Sequence, residues 1–258
     1  MTPPHPARSF GQSASLYDRV RPTYPVEAVR WALAPAEESA DAGRPLRVVD
    51  LGAGTGLASR VLRGLGHEIL PVEPDPRMRE QLEAASPGLC ALAGSAESIP
   101  LPDASVDAVV VAQAYHWFDK DRAHPEIARV LRTGGVFCPM WNLRDESVDW
   151  VADLTVVANL GGDGSRMAAA LVDDLGQWFE APEQHRVRHA VELDAERLVD
   201  LVRSRSGYLV STPEERTATE ERVRALVANH PRLAGRQTFE LPYITYVHRA
   251  RRFAEIGR

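Results

Sequence analysis

Short apolar runs alternate with amphipathic stretches through the first 145 residues of the chain. The apolar runs predict strands at about 46–51, 68–73, 89–93, 108–112 and 136–141. Apolar positions three or four residues apart predict helices after several of these strands, and one at about 25–33 before the first. Because strands that alternate with helices are typical of parallel sheets, we expect an α/β arrangement.

Residues 146–235 depart from this alternation. Helical spacing predicts helices at about 148–159, 168–179, 195–204 and 214–229. Between them, residues 186–193 alternate as a strand should, and residues 238–249 suit a final strand. We expect the segment 146–235 to be an insertion that forms a helical lid within the same domain, ahead of the last strand.

Alternating glycines follow the first predicted strand. The run is Asp50-Leu51-Gly52-Ala53-Gly54-Thr55-Gly56, and a helical pattern begins at Leu57. Glycines let the backbone approach a ligand closely and adopt positive φ. The helix behind them offers unpaired N–H groups and a partial positive charge. The spacing is not the G-x-G-x-x-G of dinucleotide sites, since Leu57 stands where the third glycine is needed.

With Asp50 before the glycines, this run resembles motif I of the class I S-adenosylmethionine (SAM)-dependent methyltransferases. The resemblance implies a Rossmann-like, seven-stranded, mostly parallel sheet with helices on both faces, an antiparallel last strand and a helical lid insertion. It also implies SAM as the cofactor and S-adenosyl-L-homocysteine as the product. The turn residues that it places at the cofactor are Asp50, Gly52, Ala53, Gly54, Thr55 and Gly56.

Glu73 ends the second predicted strand, 21 residues after Gly52. In βαβ nucleotide sites an acidic residue about 20 residues downstream binds the ribose hydroxyls. A carboxylate can accept two such bonds, so Glu73 is our leading candidate for a cofactor contact. Asp75 and Pro76 suit the N-cap and first position of the next helix, and capping is the favoured role of Asp75.

Two further segments carry the resemblance. An Ala-Glu-x-x-Pro-x-x-Asp run from Ala96 follows the third strand, and the matching family residues place Ala96 and Glu97 at the adenine. Gln113 opens the run Gln-Ala-Tyr-His-Trp-Phe-Asp after the fourth strand, where ligands of open α/β sheets bind. This run resembles methyltransferase type 11 domains of the trans-aconitate methyltransferase-like subset. We expect Gln113 at the cofactor and Trp117 at the substrate.

His116 lies in the same run and has two candidate roles. As a catalytic base at the substrate, its imidazole would take a proton from an acceptor hydroxyl, since an unperturbed histidine titrates near pH ~6.5. The alternative is structural packing at the start of the next helix.

The segment Tyr17-Asp18-Arg19-Val20-Arg21-Pro22-Thr23-Tyr24-Pro25 precedes the first strand. In the family that it resembles, such a segment folds over the cofactor. We therefore expect Tyr17 at the cofactor and Arg21 and Tyr24 at the substrate. The alternative is that the two tyrosines attach an N-terminal helix to the core.

Three more candidates come from the later part of the chain. Asn142 and Arg144 end the fifth strand, where Arg144 would bind a carboxylate in bidentate fashion or pair with Asp145. Tyr208 belongs to a polar patch, residues 203–208, that we expect to contact substrate from the lid; a solvated loop is the alternative for its serines.

Composition narrows the class of protein. The 258 residues are 44% hydrophobic and 26% charged, with a net charge of -6 and no basic block, which argues against a nucleic-acid partner. The sequence contains no run of about 18 apolar residues, so we predict no membrane span. It also contains no group of residues with metal-ligand spacing, so we predict no metal site. We expect a cytoplasmic monomer or homodimer with a cap segment at 1–45 and the catalytic domain at 46–258.

Together these features predict a SAM-dependent methyltransferase (EC 2.1.1.-) of a small-molecule substrate. We favour O-methylation of a carboxylate or hydroxyl by in-line displacement. One alternative is a non-catalytic SAM-binding protein. Another is an NAD-dependent oxidoreductase, which the glycine spacing disfavours.

Overall fold

A computed structural model describes residues 14–40, 43–160, 172 and 175–254. Half of the helix predicted at 168–179 lies outside the described residues. Of that stretch, Gly176–Trp178 forms one turn of 3-10 helix.

The described strands form one six-stranded sheet in the order β2-β1-β3-β4-β6-β5. Their bounds are Arg47–Leu51 for β1, Glu68–Val72 for β2, Val106–Ala112 for β3, Leu131–Arg144 for β4, Glu183–Leu193 for β5 and Phe239–Arg251 for β6. Strands β1 to β4 pair in parallel, whereas β6 runs antiparallel to both β4 and β5. The predicted α/β sheet with an antiparallel last strand is confirmed. Strand β5 comes from the insertion but belongs to the sheet.

The third predicted strand, residues 89–93, is the difference from the expected seven strands. It is reduced to a single parallel bridge between Val72 and Leu92. Beyond Leu92 the chain turns back on itself, and Ser95 bridges to Ser98. A Cβ at Gly94 would lie 2.6 Å from the Pro100 ring. The chain therefore leaves the edge of β2 after Leu92, and a glycine at position 94 lets it pass close to Pro100.

Helices flank the sheet and fill the insertion. They are α1 Ala14–Val20, α2 Val26–Ser39, α3 Leu57–Gly64, α4 Pro76–Ala85, α5 Lys120–Val130, α6 Asp149–Val157, α7 Ala195–Arg203, α8 Ser206–Leu209 and α9 Pro213–Asn229. Helix α4 begins as predicted, because the Asp75 carboxylate accepts hydrogen bonds from the N–H groups of Arg77 and Met78. Within the described residues, no helix combines the length and the apolar composition that a membrane crossing requires.

Two glycines follow α5 at positions where local rules would end a helix, but the helix ends before them. Gly134 and Gly135 suit a helix C-cap, yet α5 ends at Val130 and the chain enters β4 at Leu131. Gly134 has a φ of 76°, inside the strand. A Cβ at Gly135 would lie 2.9 Å from the Arg132 carbonyl oxygen and 3.0 Å from that of Asp107 in β3, so a side chain there would crowd both strands. The glycines therefore allow β4 to pair irregularly with β3, whose register shifts between Val106 and Ala108.

Three hydrophobic clusters hold these elements together. One lies between the sheet and helices α2 and α3, and contains Val48 and Val110. A second fills the opposite face around Val49 and Trp141. Successive strand residues therefore pack on opposite faces of the sheet, as expected for strands buried on both sides. The third cluster joins α6, α7 and α9 of the insertion to Val20 of α1.

Candidate active site

A cavity of about 230 Å³ lies at the carboxyl ends of the central parallel strands, with residues of α1 in its wall. Its lining residues are Tyr17, Arg21, Gly52, Gly54, Glu73, Pro74, Met78, Ser95, Ala96, Glu97, Ala112, Gln113, Ala114, His116, Trp117, Phe118 and Arg205. The ends of parallel strands are where open α/β sheets bind ligands.

The glycine turn brings the backbone to the floor of this cavity. Gly52 has a φ of 71°, and its N–H donates to the Val72 carbonyl at 2.8 Å. A Cβ there would lie 2.8 Å from the Cβ of Ala114, so only glycine fits. Gly56, with a φ of 85°, is the N-cap of α3. Both positions need the left-handed conformation that glycine adopts without strain.

Glu73 lies beside the turn, where it is 7% exposed. Its Oε2 accepts a hydrogen bond from the Gly54 N–H, and its Oε1 accepts one from the Asp75 N–H, each at 2.9 Å. Burial raises the pKa of this carboxyl above its usual range, while the two backbone bonds oppose the rise. Each oxygen keeps a lone pair, so the carboxylate is fixed in place and can still accept bonds from a ligand.

Asp50 and Thr55 lie beneath the turn and not in the cavity wall. Asp50 is fully buried, and its Oδ2 accepts a hydrogen bond from the Ser59 hydroxyl at 2.6 Å. Asp50 Oδ1 and Thr55 Oγ1 are buried without a hydrogen-bond partner. Burial raises the pKa of Asp50 to about 6, against the lowering effects of Ser59 and Arg60. Such uncompensated polar atoms carry a free-energy penalty in the folded protein.

We expect Asp50→Asn to alter the pH dependence of stability. A carboxyl with a pKa of about 6 when folded and about 3.9 when unfolded destabilises the folded state progressively as the pH rises through that window. The free energy of unfolding of the variant, relative to wild type, should therefore rise by on the order of 2 to 3 kcal/mol between about pH 4 and pH 6, and then stay constant. Urea denaturation at several pH values measures this.

The same urea denaturation experiment includes a control variant in which an exposed carboxylate is removed. Asp103→Asn removes a carboxylate that is 78% exposed and pairs with Arg129, so its effect should be small at every pH. A stability difference for Asp50→Asn that does not vary with pH would show that Asp50 is not the titrating group.

Ala96 and Glu97 both line the cavity, below the edge of β2. Ala96 is 3% exposed. Glu97 has a second contact, because its Oε1 accepts a hydrogen bond from the Asp119 N–H at the start of α5, at 3.1 Å. Ala53 and Gly56 are buried within the turn and do not line the cavity.

Gln113 begins the opposite wall and is a non-glycine residue with positive φ, 63°. Its side-chain Nε2 donates to the Asn142 carbonyl at 2.9 Å, which ties the wall to β4. A strained backbone of this kind costs roughly 1 to 3 kcal/mol and is frequent at functional sites. Trp117 lines the same wall, within the 3-10 turn Tyr115–Trp117.

His116 accepts a hydrogen bond at Nδ1 from the Trp141 indole N–H, 3.3 Å away. An indole N–H is a donor only, so Nδ1 must be the unprotonated nitrogen. A neutral imidazole in this contact therefore carries its proton on Nε2. In that tautomer the Nε2 atom donates a hydrogen bond and has no lone pair with which to take a proton.

Helix α1 and Arg21, the residue after it, contact both the core and the insertion beside the cavity. On one side Asp18 forms an ion pair with Arg60 of α3. On the other, Arg21 donates to the hydroxyl of Ser204 at 2.9 Å and to its carbonyl at 3.0 Å, next to the end of α7. Tyr17 packs under the Arg21 guanidinium, with 4.7 Å between guanidinium carbon and ring centre. The predicted cover over the site is thus anchored to both core and insertion.

The other predicted substrate residues do not line the cavity. Tyr24 is 5% exposed, and Asn142, 3% exposed, donates from Nδ2 to the Thr23 carbonyl at 3.1 Å. Tyr208 donates to Glu220 within the insertion. Arg144 is buried and makes no ion pair with Asp145, whose carboxylate instead lies 3.7 Å from Arg188.

Several lining residues were not predicted. They are Pro74, Met78, Ser95, Ala112, Ala114, Phe118 and Arg205. Most of them are next to a predicted residue in sequence, and this adjacency could have identified them as candidates. Met78 sits one turn into α4 and Arg205 lies in the polar patch 203–208, so neither could be placed without the packing of those helices.

Comparison with known proteins decides the family. A profile described as "Methyltransferase domain" matches residues 49–138. Uncharacterized methyltransferases of Mycobacterium bovis and Mycobacterium tuberculosis are 44% identical to this chain over 242 residues, which are 94% of this chain and 95% of each relative. This chain is a class I SAM-dependent methyltransferase.

Other comparisons agree with this assignment. A malonyl-[acyl-carrier protein] O-methyltransferase of Pectobacterium atrosepticum is 33% identical over 132 residues, half of each chain. The solved structure of a methyltransferase assigned to antibiotic biosynthesis in Anabaena variabilis superposes with a TM-score of 0.60 at 20% identity, covering 86% of this chain and 95% of that one. A type II methyltransferase from Anaeromyxobacter dehalogenans gives 0.58 at 23% identity, covering 90% and 97%. At this identity the two structures show the shared fold.

The cavity of this methyltransferase fits its cofactor, SAM. A Cβ at Gly54 would meet no atom within 4 Å, so the space above the turn is open to a ligand. Gly52 and Gly54 bring bare backbone to that space, and the Glu73 carboxylate lies at its edge. SAM supplies a methyl group that its sulfonium already activates. The protein therefore has to hold the cofactor, exclude water and orient an acceptor.

Proposed function

We propose that this methyltransferase transfers the methyl group of SAM to an oxygen of a small-molecule acceptor, a carboxylate or a hydroxyl, by in-line displacement. One observation carries the proposal: the glycine turn and the polar-aromatic wall of Gln113, His116 and Trp117 face a single cavity. The cavity is covered by α1, which suits a small acceptor better than the surface of a macromolecule. Orientation in such a site supplies roughly 7 to 11 kcal/mol of barrier reduction.

The cofactor residues divide by position. Glu73 is suited to accept bonds from the two ribose hydroxyls, and Ala96 and Glu97 to contact the adenine. Gly52 and Gly54 allow close backbone approach. The other predicted cofactor residues lie at the cavity wall, Tyr17 and Gln113, or within and beneath the turn, Asp50, Ala53, Thr55 and Gly56.

The acceptor side is built around His116, Trp117 and Arg21. Because the contact with Trp141 leaves the His116 proton on Nε2, we propose that His116 donates a hydrogen bond to the acceptor oxygen instead of acting as a base. A relative whose name describes O-methylation of a malonyl group supports an oxygen acceptor and, more specifically, a carboxylate.

His116→Ala should lower kcat by about 10- to 100-fold and change SAM affinity little, because the donor orients the acceptor and does not hold the cofactor. His116→Gln keeps an N–H donor and cannot serve as a base at neutral pH, so it should recover much of the lost activity. Steady-state kinetics and SAM titration of both variants measure this. A glutamine variant as inactive as the alanine variant would instead support the catalytic base.

The function itself is tested by titrating the protein calorimetrically with SAM and S-adenosylhomocysteine. Formation of S-adenosylhomocysteine is then followed with a panel of carboxylic acids, phenols and amines. Binding of both ligands and turnover of an oxygen nucleophile are the expected results. Binding with no turnover across the panel would favour a non-catalytic SAM-binding protein, and turnover of amines alone would contradict the oxygen acceptor.

The localisation, oligomeric state, partners and domain division of the protein are further proposals. We propose a cytoplasmic monomer or homodimer whose partner is its small-molecule substrate, with no nucleic-acid partner, in keeping with the net charge of -6. The division into a cap at 1–45 and a catalytic domain at 46–258, with the lid at 146–235, is supported by the anchoring of α1 to both core and insertion.

A further inference from the structure

Two arginines line the cavity, and the charge of a third, buried arginine interacts with theirs. Arg21 and Arg205 line the cavity wall, and Arg144 ends β4 behind them. They are close enough for their charges to interact. Burial, with the positive charges of Arg205 and Arg21, lowers the pKa of Arg144 to about 9, against the opposing effects of Tyr243 and Glu146.

Within the part of the chain that the structure describes, Arg144 lacks the acidic partner that a buried guanidinium usually has. It is 6% exposed, its Nε has no hydrogen-bond partner, and its Nη2 makes one long contact, 3.4 Å, to the Thr155 hydroxyl. No carboxylate of the described residues lies within ion-pair distance of it. Glu146 is near, but its Oε1 accepts the hydrogen bond of Thr155 at 2.6 Å. Buried charges are normally paired, because desolvation costs several kcal/mol per ion.

We propose that Arg144, with Arg205 and Arg21, binds a carboxylate group of the methyl acceptor. This inference rests on the proposed function and names its substrate class: acceptors that carry a carboxylate. A guanidinium binds a carboxylate through two parallel hydrogen bonds, which would satisfy the unpaired Nε of Arg144.

The position of Arg144 favours the acceptor over the cofactor as the source of the carboxylate. In the sheet, β3 separates β4 from β1, so β4 lies two strand spacings, about 10 Å, to the side of the strand that leads into the glycine turn, and Arg144 lies four residues beyond Met140, which is level with the end of β3. The His116 tautomer points the same way. A carboxylate acceptor is already ionised at neutral pH and needs no base, so a hydrogen-bond donor at His116 would serve to orient it.

The carboxylate has two possible uses, and both give the same binding chemistry. It is either the group that receives the methyl, or a handle that places a hydroxyl of the same molecule. Succinate and 4-hydroxybenzoate separate these uses, because only the second carries a hydroxyl. Methyl ester formation identifies the first use and methyl ether formation the second.

The test is calorimetric titration of the S-adenosylhomocysteine-loaded protein with succinate, citrate and 4-hydroxybenzoate. We expect at least one to bind wild type, and Arg144→Gln and Arg205→Gln each to weaken that binding by about 10- to 30-fold, as expected for losing one charged hydrogen-bond donor group. Arg144→Lys, which keeps the charge without the planar fork, should fall between. Affinity for S-adenosylhomocysteine should change less than about twofold in every variant.

Arg188→Gln is the matched control, since it removes the same charge from a side chain that is 81% exposed and near Asp145. It should bind carboxylates as wild type does. Circular dichroism checks folding, and Arg205→Gln carries the test if Arg144→Gln does not fold.

Three results would overturn the proposal. One is the absence of carboxylate binding to wild type at millimolar concentration. Another is equal carboxylate affinity in wild type and the arginine variants. The third is a loss of S-adenosylhomocysteine affinity in Arg144→Gln as large as the loss of carboxylate affinity, which would assign the arginines to the cofactor. Arginine-dependent carboxylate binding without any turnover of SAM would contradict the proposed methyl transfer and leave the carboxylate site standing.

Discussion

Glu73→Ala should weaken the binding of SAM and S-adenosylhomocysteine by about 100-fold, close to 3 kcal/mol. The Glu73 carboxylate is held between the N–H groups of Gly54 and Asp75, each 2.9 Å away. Its remaining lone pairs are positioned for two ribose hydroxyls, and hydrogen bonds to a charged acceptor contribute about 1.5 to 3 kcal/mol each. Alanine removes both contacts. It also leaves the two backbone donors exposed to the cavity, where water can satisfy them, so the variant should fold.

Two comparisons isolate the ribose contact. Glu68→Ala removes a carboxylate at the other end of β2, where it pairs with Arg47 and is 52% exposed, and should leave cofactor binding unchanged. Adenosine and 2′,3′-dideoxyadenosine, used as competitors, complete a cycle with Glu73→Ala. In wild type the missing hydroxyls should weaken binding, whereas in the variant they should make little difference. If the loss of the two hydroxyls weakened binding equally in wild type and in Glu73→Ala, the ribose hydroxyls would not be bound by Glu73.

Gly52→Ala should abolish cofactor binding and lower the free energy of unfolding by about 2 to 4 kcal/mol. The left-handed backbone at Gly52, with a φ of 71°, costs a non-glycine residue about 1 to 2 kcal/mol. The added methyl group would also lie 2.8 Å from the Cβ of Ala114, closer than two carbon atoms can pack. Relief of that overlap must displace the turn or the wall that begins at Gln113, and both border the cavity.

The two contributions can be separated by measurement. Gly43→Ala imposes a similar backbone strain, since its φ is 83°, but its Cβ would meet no atom within 4 Å. It should cost about 1 kcal/mol and leave SAM binding intact. Adding Ala114→Gly to Gly52→Ala removes the overlap and should recover part of the stability. If Gly52→Ala alone were as stable as Gly43→Ala, the overlap with Ala114 would be relieved by a movement of the cavity wall that costs no stability.

The parts of the structure that were predictable are those that local sequence determines. Val48 and Val49 predict a strand buried on both faces, and the glycines after it require a tight turn whatever surrounds them. The cap at Asp75 depends only on its own next three residues. Glu73 was placed by its distance along the chain from Gly52, and it lies in the cavity wall. Each of these inferences needs no knowledge of a distant segment.

Predictions that depended on distant segments were less accurate. The glycines at 134 and 135 fit a helix end by local rules, yet both lie in β4, where a Cβ at Gly135 would crowd the carbonyl oxygens of Arg132 and of Asp107 in β3. Arg205 reaches the cavity because the third hydrophobic cluster holds α7 beside α1. The contact between Trp141 and His116 spans 25 residues and two elements, and no local pattern indicates which imidazole nitrogen is protonated.

The position of β6 has a consequence for how the chain reaches its native state. This strand comes last in the described chain, yet it lies between β4 and β5, and its Thr245 donates to Asn142 across 103 residues. Until residues 239–251 have been synthesised, β4 has an open edge and β5 has no neighbour to pair with. Contacts so distant in sequence carry a large loop-closure entropy and slow folding. The half of the sheet that holds the glycine turn can therefore form first, and the half that carries Arg144 is completed last.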